Sequence, residues 1–147
     1  MNNIGEWWTS PTESNDGQLI MVTGRKDIEK FKTNPKFSIR IEITWQYNPD
    51  GKGMPDEAQG QLLEKITDAF TETFSKDPIA VLTGIYTGAG ERNWVFYTLS
   101  TYIFEKKLNL ALSDFELLPL KIYAENDPSW QEYNEMKDLT EISASDD

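Results

Sequence analysis

No histidine and no cysteine occurs anywhere in the 147 residues of this chain. The first absence removes the side chain most used as a general base and metal ligand near neutral pH. The second removes disulfides, thiolate zinc sites and thiol nucleophiles, and leaves the redox compartment open. Ser-His and Cys-His nucleophilic pairs are therefore excluded. Cations are scarce as well: 14 basic residues stand against 25 acids, a net charge of −11. A field of that sign repels phosphate backbones and anionic bilayers, so neither nucleic acid nor a membrane is expected as a partner. No apolar run approaches the ~18 residues of a bilayer-spanning helix. Met1 to Trp8 lacks both the basic region and the apolar stretch of a secretory signal, so the cytoplasm is the expected location.

What is present is enough for a core. Apolar residues make up 38% of the chain and aromatics 12%, and a domain of this length folds without staples. The clearest segment runs from Phe37 to Trp45. There Phe37, Ile39, Ile41, Ile43 and Trp45 alternate with Ser38, Arg40, Glu42 and Thr44, the period of a strand with one buried and one polar face. Upstream, Gln18 to Thr23 reads as a strand after the Asn15-Asp16-Gly17 turn. This predicts an N-terminal hairpin with one of Trp7 and Trp8 inward and the other at the rim. Lys26 to Lys32 fits a short helix or turn.

Downstream, Pro55 fits a first helical position, and Leu62, Ile66, Phe70 and Phe74 recur at helical spacing until Asp77-Pro78 stops the helix. Leu63 widens that stripe. Ile79 to Thr87 and Asn93 to Leu99 bracket Gly88-Ala89-Gly90-Glu91 as a hairpin. Ser100-Thr101 caps a second helix through about Leu112, with Ile103, Leu108, Ala111 and Leu112 inward. Leu117 to Ala124 is the last strand. Asp127-Pro128 opens a final helix to Leu139 that carries Trp130, Tyr133 and Met136 on one side.

Strand, helix, strand, strand, helix, strand between Lys36 and Ala124 predicts an α+β fold: a ferredoxin-like βαββαβ sandwich with an added N-terminal β-hairpin and a C-terminal helix. The first and third strands should take the centre, and both helices should cover one face. The hairpin belongs along an edge, and the C-terminal helix beside an end or across the open face. Residues 1–139 read as a single α+β domain, and 140–147 as an acidic, disordered tail.

Little chemistry emerges. Glu42 on the polar strand face and Glu91 in the hairpin loop are the carboxylate pair to inspect for glycosidase-type work, which depends on a geometry that sequence does not give. Gly84, Gly88 and Gly90 lead into a strand, whereas a phosphate loop leads into a helix N-terminus, so they read as turn residues. Asn48-Pro49-Asp50-Gly51 lacks the alternating acids of a calcium loop. Trp94, Phe96 and Tyr97 could mimic the stacked aromatics of an RNA-binding sheet, but the basic surround is missing. No catalytic residue, metal ligand or cofactor is assigned.

Five motifs stand in a telling order: Trp7-Trp8 before Asp16-Gly17, Arg40-Ile41-Glu42-Ile43-Thr44-Trp45, Met54-Pro55 before the long helix, Thr87 to Trp94, and Glu125 to Tyr133. Taken together, from Trp7 to Leu139, the chain resembles the bacterial family catalogued as domain of unknown function 695. That family supplies no activity. It is similar in fold to the B-type regulators of ribonuclease E, which implies a protein inhibitor and carries no catalytic residues with it.

The expected function is that of a non-enzymatic regulatory or protein-interaction domain, monomer or homodimer, whose acidic surface docks a basic protein. Glu42, Glu91, Arg92, Trp94, Trp130 and Tyr133 are the candidate contact residues, the aromatics as anchors. Arg92 beside Glu91 also reads as a local ion pair of little worth. The alternatives are a small-ligand binder or carboxylate-based enzyme using the open sheet face, and a toxin immunity protein.

Overall fold

The apolar alternation of Ile39–Gln46 lies in the interior of one six-stranded sheet, in which every pairing is antiparallel. The structure, a computed structural model, describes residues 6–116 and 118–145. In chain order the elements are β1 (Trp7–Glu13), β2 (Leu19–Arg25), α1 (Glu29–Lys32), β3 (Ile39–Gln46), α2 (Glu57–Lys76), β4 (Ala80–Gly88), β5 (Glu91–Thr98), α3 (Thr101–Ala111), β6 (Lys121–Asn126) and α4 (Gln131–Ser145). The spatial order is β1-β2-β4-β5-β3-β6. The N-terminal hairpin thus extends the sheet beyond β4. Leu117, where the sequence reading opens the last strand, and the tail residues Asp146 and Asp147 lie outside the described residues.

Register assigns the faces. Ile41 stands opposite Phe96 and Ile43 opposite Trp94, whereas Glu42 stands opposite Val95 and Gln46 opposite Glu91. The first set meets α2 and α3. Its core joins Ile41, Ile43, Trp94 and Phe96 to Leu63, Ile66, Phe70, Phe74, Phe104 and Leu108. Leu63 is fully buried where the periodicity centred on Leu62, which is only partly covered. Helix α2 also starts later than expected. Asp56 is its cap and accepts from the Gln59 N–H at 2.8 Å, so Pro55 precedes the helix. In α3 the expected inward row omits Phe104, whose ring lies flat on Phe74 at 5.2 Å. Ser100 caps this helix through the Ile103 N–H.

The β4–β5 hairpin closes through Ala89-Gly90, with Gly88 paired to Glu91. Ala89 and Gly90 both have positive φ, 53° and 82°. This is the primed two-residue turn that matches strand twist.

The second face is covered in part by α4. Trp130, Tyr133 and Met136 pack on Trp8, Val22, Val81 and Tyr97, with Ile28 and Phe37 beside them. Of the two N-terminal tryptophans, Trp8 is the one inward. Phe37 departs from the alternation, because the strand begins only at Ile39 and the chain before it turns the ring to this second cluster. Gly24 leaves room for the indole, since a Cβ there would lie 2.2 Å from the Trp8 ring. Asp127 anchors the start of α4 by accepting from the Gln131 and Glu132 N–H groups. The helix runs past Leu139, where the sequence reading begins a disordered tail. Thr140 is buried and accepts from the Trp8 indole at 2.8 Å, so the polar run continues the helix to Ser145.

Candidate binding cleft

Helix α4 leaves part of the second face open, and there the sheet forms a cleft of about 420 Å³. Four strands supply its walls. Ile20 comes from β2, Arg40 and Glu42 from β3, Tyr86 from β4, and Glu91, Asn93 and Val95 from β5. Glu132, on the first turn of α4, reaches it from the side. The backbone of the Gly88-Ala89 turn closes one end.

Three carboxylates, Glu42, Glu91 and Glu132, thus line a cleft that holds one guanidinium. Arg40 Nη1 bridges Glu42 at 3.1 Å and Glu125 at 3.2 Å. Burial, the largest single effect, lowers the Arg40 pKa, but the Glu42 carboxylate, joined by Tyr97 and Glu132, outweighs it and holds the group above its ordinary value. The cation is therefore spent on its own strand neighbours. Burial also pushes the Tyr86 phenol up to about 12, with Arg40 easing the shift and Glu132 and Glu42 adding to it. Tyr86 remains a neutral hydroxyl at physiological pH and can donate or accept in the cleft.

The sequence candidates divide. Glu42 and Glu91 are brought to one cleft by the β3–β5 register. Arg92 is directed to the other face. Its Nη2 lies 3.9 Å from Glu64 on α2 and its guanidinium sits 5.6 Å from the Trp94 ring, so the ion pair expected with Glu91 is replaced by one with Glu64. Burial lowers the Arg92 pKa, with Glu64 opposing. Trp94 lies in the core under α2, fully buried, with its indole donating to Thr67 Oγ1 at 2.8 Å. Trp130 stacks on Tyr97 at 4.0 Å and donates to the Phe37 carbonyl. Tyr133 donates to the Arg25 carbonyl. These three rings hold α4 and the core together, and as placed they offer no surface to a partner.

Sequence reasoning missed Arg40, Tyr86 and Glu132. Arg40 stood in the polar row of the alternation and was readable there. Tyr86 was not, because an extra residue between Leu82 and Gly84 shifts the register and resets which side chains share a face. Glu132 joins the site only through the docking of α4. Among the described residues, no group of three or more acids is placed to hold a metal ion, and no helix is long and apolar enough to cross a membrane.

Comparison with known proteins adds a family. The family described as "Family of unknown function (DUF695)" matches residues 6–136, nearly the whole chain, and the protein belongs to it. No curated protein and no solved structure matches the chain.

Proposed function

We propose that this DUF695 protein is a non-enzymatic interaction domain of the cytoplasm that docks a basic protein partner on the open part of its sheet. One observation carries the reading. Glu42, Glu91 and Glu132 converge on a cleft containing Ile20, Tyr86 and Val95, while Arg40 is already bridged by Glu42 and Glu125. An apolar wall beside a carboxylate rim suits a lysine or arginine, whose stem covers the wall while its charged head meets the acids. Because the aromatic residues expected as anchors are internal, the inserted side chain comes from the partner. The overall field of −11 would speed the encounter with such a partner.

The strand order β4-β5-β3-β6, with α2 and α3 on one face, supports reading the core as a ferredoxin-like βαββαβ sandwich. That reading keeps the similarity to the B-type ribonuclease E regulators relevant and favours a protein over a metabolite.

Calorimetric titration with an oligoarginine peptide at low and high salt tests the proposal. The triple variant Glu42→Gln, Glu91→Gln, Glu132→Gln should weaken binding by about tenfold or more, roughly 1.4 kcal/mol. A control with the same charge change on α2 and α3, Glu57→Gln, Asp68→Asn, Glu105→Gln, should leave it within about twofold. Equal loss in both triples would reduce the cleft to general electrostatics and overturn the reading. Saturable binding of free arginine as tight as the peptide would move the assignment to a small cationic ligand.

A further inference from the structure

The sheet ends differently at its two edges. At one end β1 carries Pro11, which has no N–H to offer another strand. At the other end β6 pairs with β3 on one side only. It contains no proline, and Lys121, Ile122, Tyr123, Ala124 and Asn126 are all exposed. Ile122 retains 46% and Tyr123 58% of their accessible surface, although they project to opposite faces. Neither face of β6 is fully covered, Glu125 alone being held against Arg40, and its outer row of backbone donors and acceptors is available to an added strand.

The sequence of β6 is complementary to itself about Tyr123. Lys121 and Glu125 lie two residues to either side and share its face, while Ile122 and Ala124 flank it on the other. We propose that β6 pairs antiparallel with β6 of a second copy of this chain, about a two-fold axis at Tyr123, and joins two six-stranded sheets into one. In that register Lys121 faces the second copy's Glu125 and the reverse, Ile122 faces Ala124, and the two Tyr123 residues meet at the axis. Charge selects the register. Sliding one strand by two residues sets Lys121 or Glu125 against Tyr123, and by four sets like charges face to face. A lysine at an edge normally deters pairing, yet here a second β6 supplies its counter-charge. Lys121 forms no ion pair among the described residues, and Glu125 keeps a third of its side chain exposed beside Arg40.

The absence of native cysteine makes the test direct. At the axis the two Cα atoms would lie about 4.5–5.5 Å apart, within reach of a disulfide. Mild oxidation of the full chain carrying Tyr123→Cys should give a covalent dimer, while Lys121→Cys, whose counterpart is residue 125, should not. Sedimentation of cysteine-free chains provides the second reading. Lys121→Glu and Glu125→Lys should each weaken self-association by about tenfold, and an equimolar mixture of the two should recover it. Cross-linking confined to Tyr123→Cys together with recovery in the mixture establishes the pairing. Equal cross-linking of both cysteine variants, none in either, or no recovery in the mixture overturns it.

Discussion

Tyr97 on β5 donates its phenolic hydrogen to the Asp127 carboxylate at 2.6 Å, and the same oxygen accepts from the Tyr133 N–H at 3.3 Å. Through these two bonds one buried hydroxyl ties the sheet to both the cap and the first turn of α4. Tyr97→Phe leaves the ring and its stack on Trp130 in place, takes one donor from Asp127, which keeps its bonds to the Gln131 and Glu132 N–H groups, and leaves the buried Tyr133 N–H without its acceptor. The expected loss is about 1–3 kcal/mol, read as a lower urea midpoint with an unchanged slope. Tyr86→Phe on the same face removes a hydroxyl that points into the open cleft and should change stability by less than about 0.5 kcal/mol.

Alkaline pH should unfold the protein steeply. Burial raises the pKa of Tyr47, Tyr86, Tyr97 and Tyr133, and at Tyr97 the bond to Asp127 adds to it. A folded pKa above the unfolded value of about 10 means that the unfolded chain loses its phenolic protons first. Stability from these groups is complete below about pH 10 and falls as pH rises toward and through 12, the Tyr86 value. Each fully shifted phenol contributes a slope of about 1.4 kcal/mol per pH unit. Urea midpoints followed with tyrosinate absorbance should show a single coupled transition, and Tyr97→Phe should remove close to one proton from its slope.

Gly24→Ala should be costly despite being the smallest possible change. Its Cβ would sit 2.2 Å from Cζ2 of Trp8 and 2.5 Å from two further ring atoms. A buried indole that also bonds Thr140 has nowhere to retreat. About 1–3 kcal/mol of destabilisation is expected, together with loss of the near-ultraviolet signal of the packed tryptophan. Gly60→Ala, where a Cβ meets no atom within 4 Å, is the control and should be neutral or mildly stabilising.

Thr67→Val tests the opposite face. Thr67 Oγ1 accepts from the Trp94 indole at 2.8 Å and lies 3.4 Å from Arg92 Nη1, whose Nε already has no partner. Removing that oxygen leaves a buried indole N–H unpaired, for a loss of about 1–3 kcal/mol. Ser at the same position should recover most of it, as measured by the urea midpoint.

How much of this was legible beforehand depended on how local the cause was. The faces of β3 could be read because alternation is intrinsic to a strand, and with them the meeting of Ile41 and Ile43 with Ile66 and Phe70. Helix faces were blurred by a residue, as at Leu62 and Leu63, since an apolar pair at adjacent positions fits two stripes. Phe37 broke the pattern because the alternation begins in sequence two residues before the strand begins in space. The longest-range relations were unreadable. Nothing near Thr140 signals that its hydroxyl will meet Trp8, and without that contact the polar end of α4 looks unstructured. The site followed the same rule: Glu42 and Glu91 share the polar face of one strand pair, whereas Glu132 arrives by helix docking.

The Trp8–Thr140 bond spans 132 positions of the chain, and this has a consequence for synthesis. While the polypeptide is still emerging from the ribosome, the platform of Trp8, Val22, Val81 and Tyr97 waits uncovered for Trp130, Tyr133 and Met136 to leave the tunnel. Until then the nascent chain presents a greasy patch to its neighbours. Stalling or truncation before α4 should therefore yield chaperone-bound or insoluble material rather than a smaller working domain.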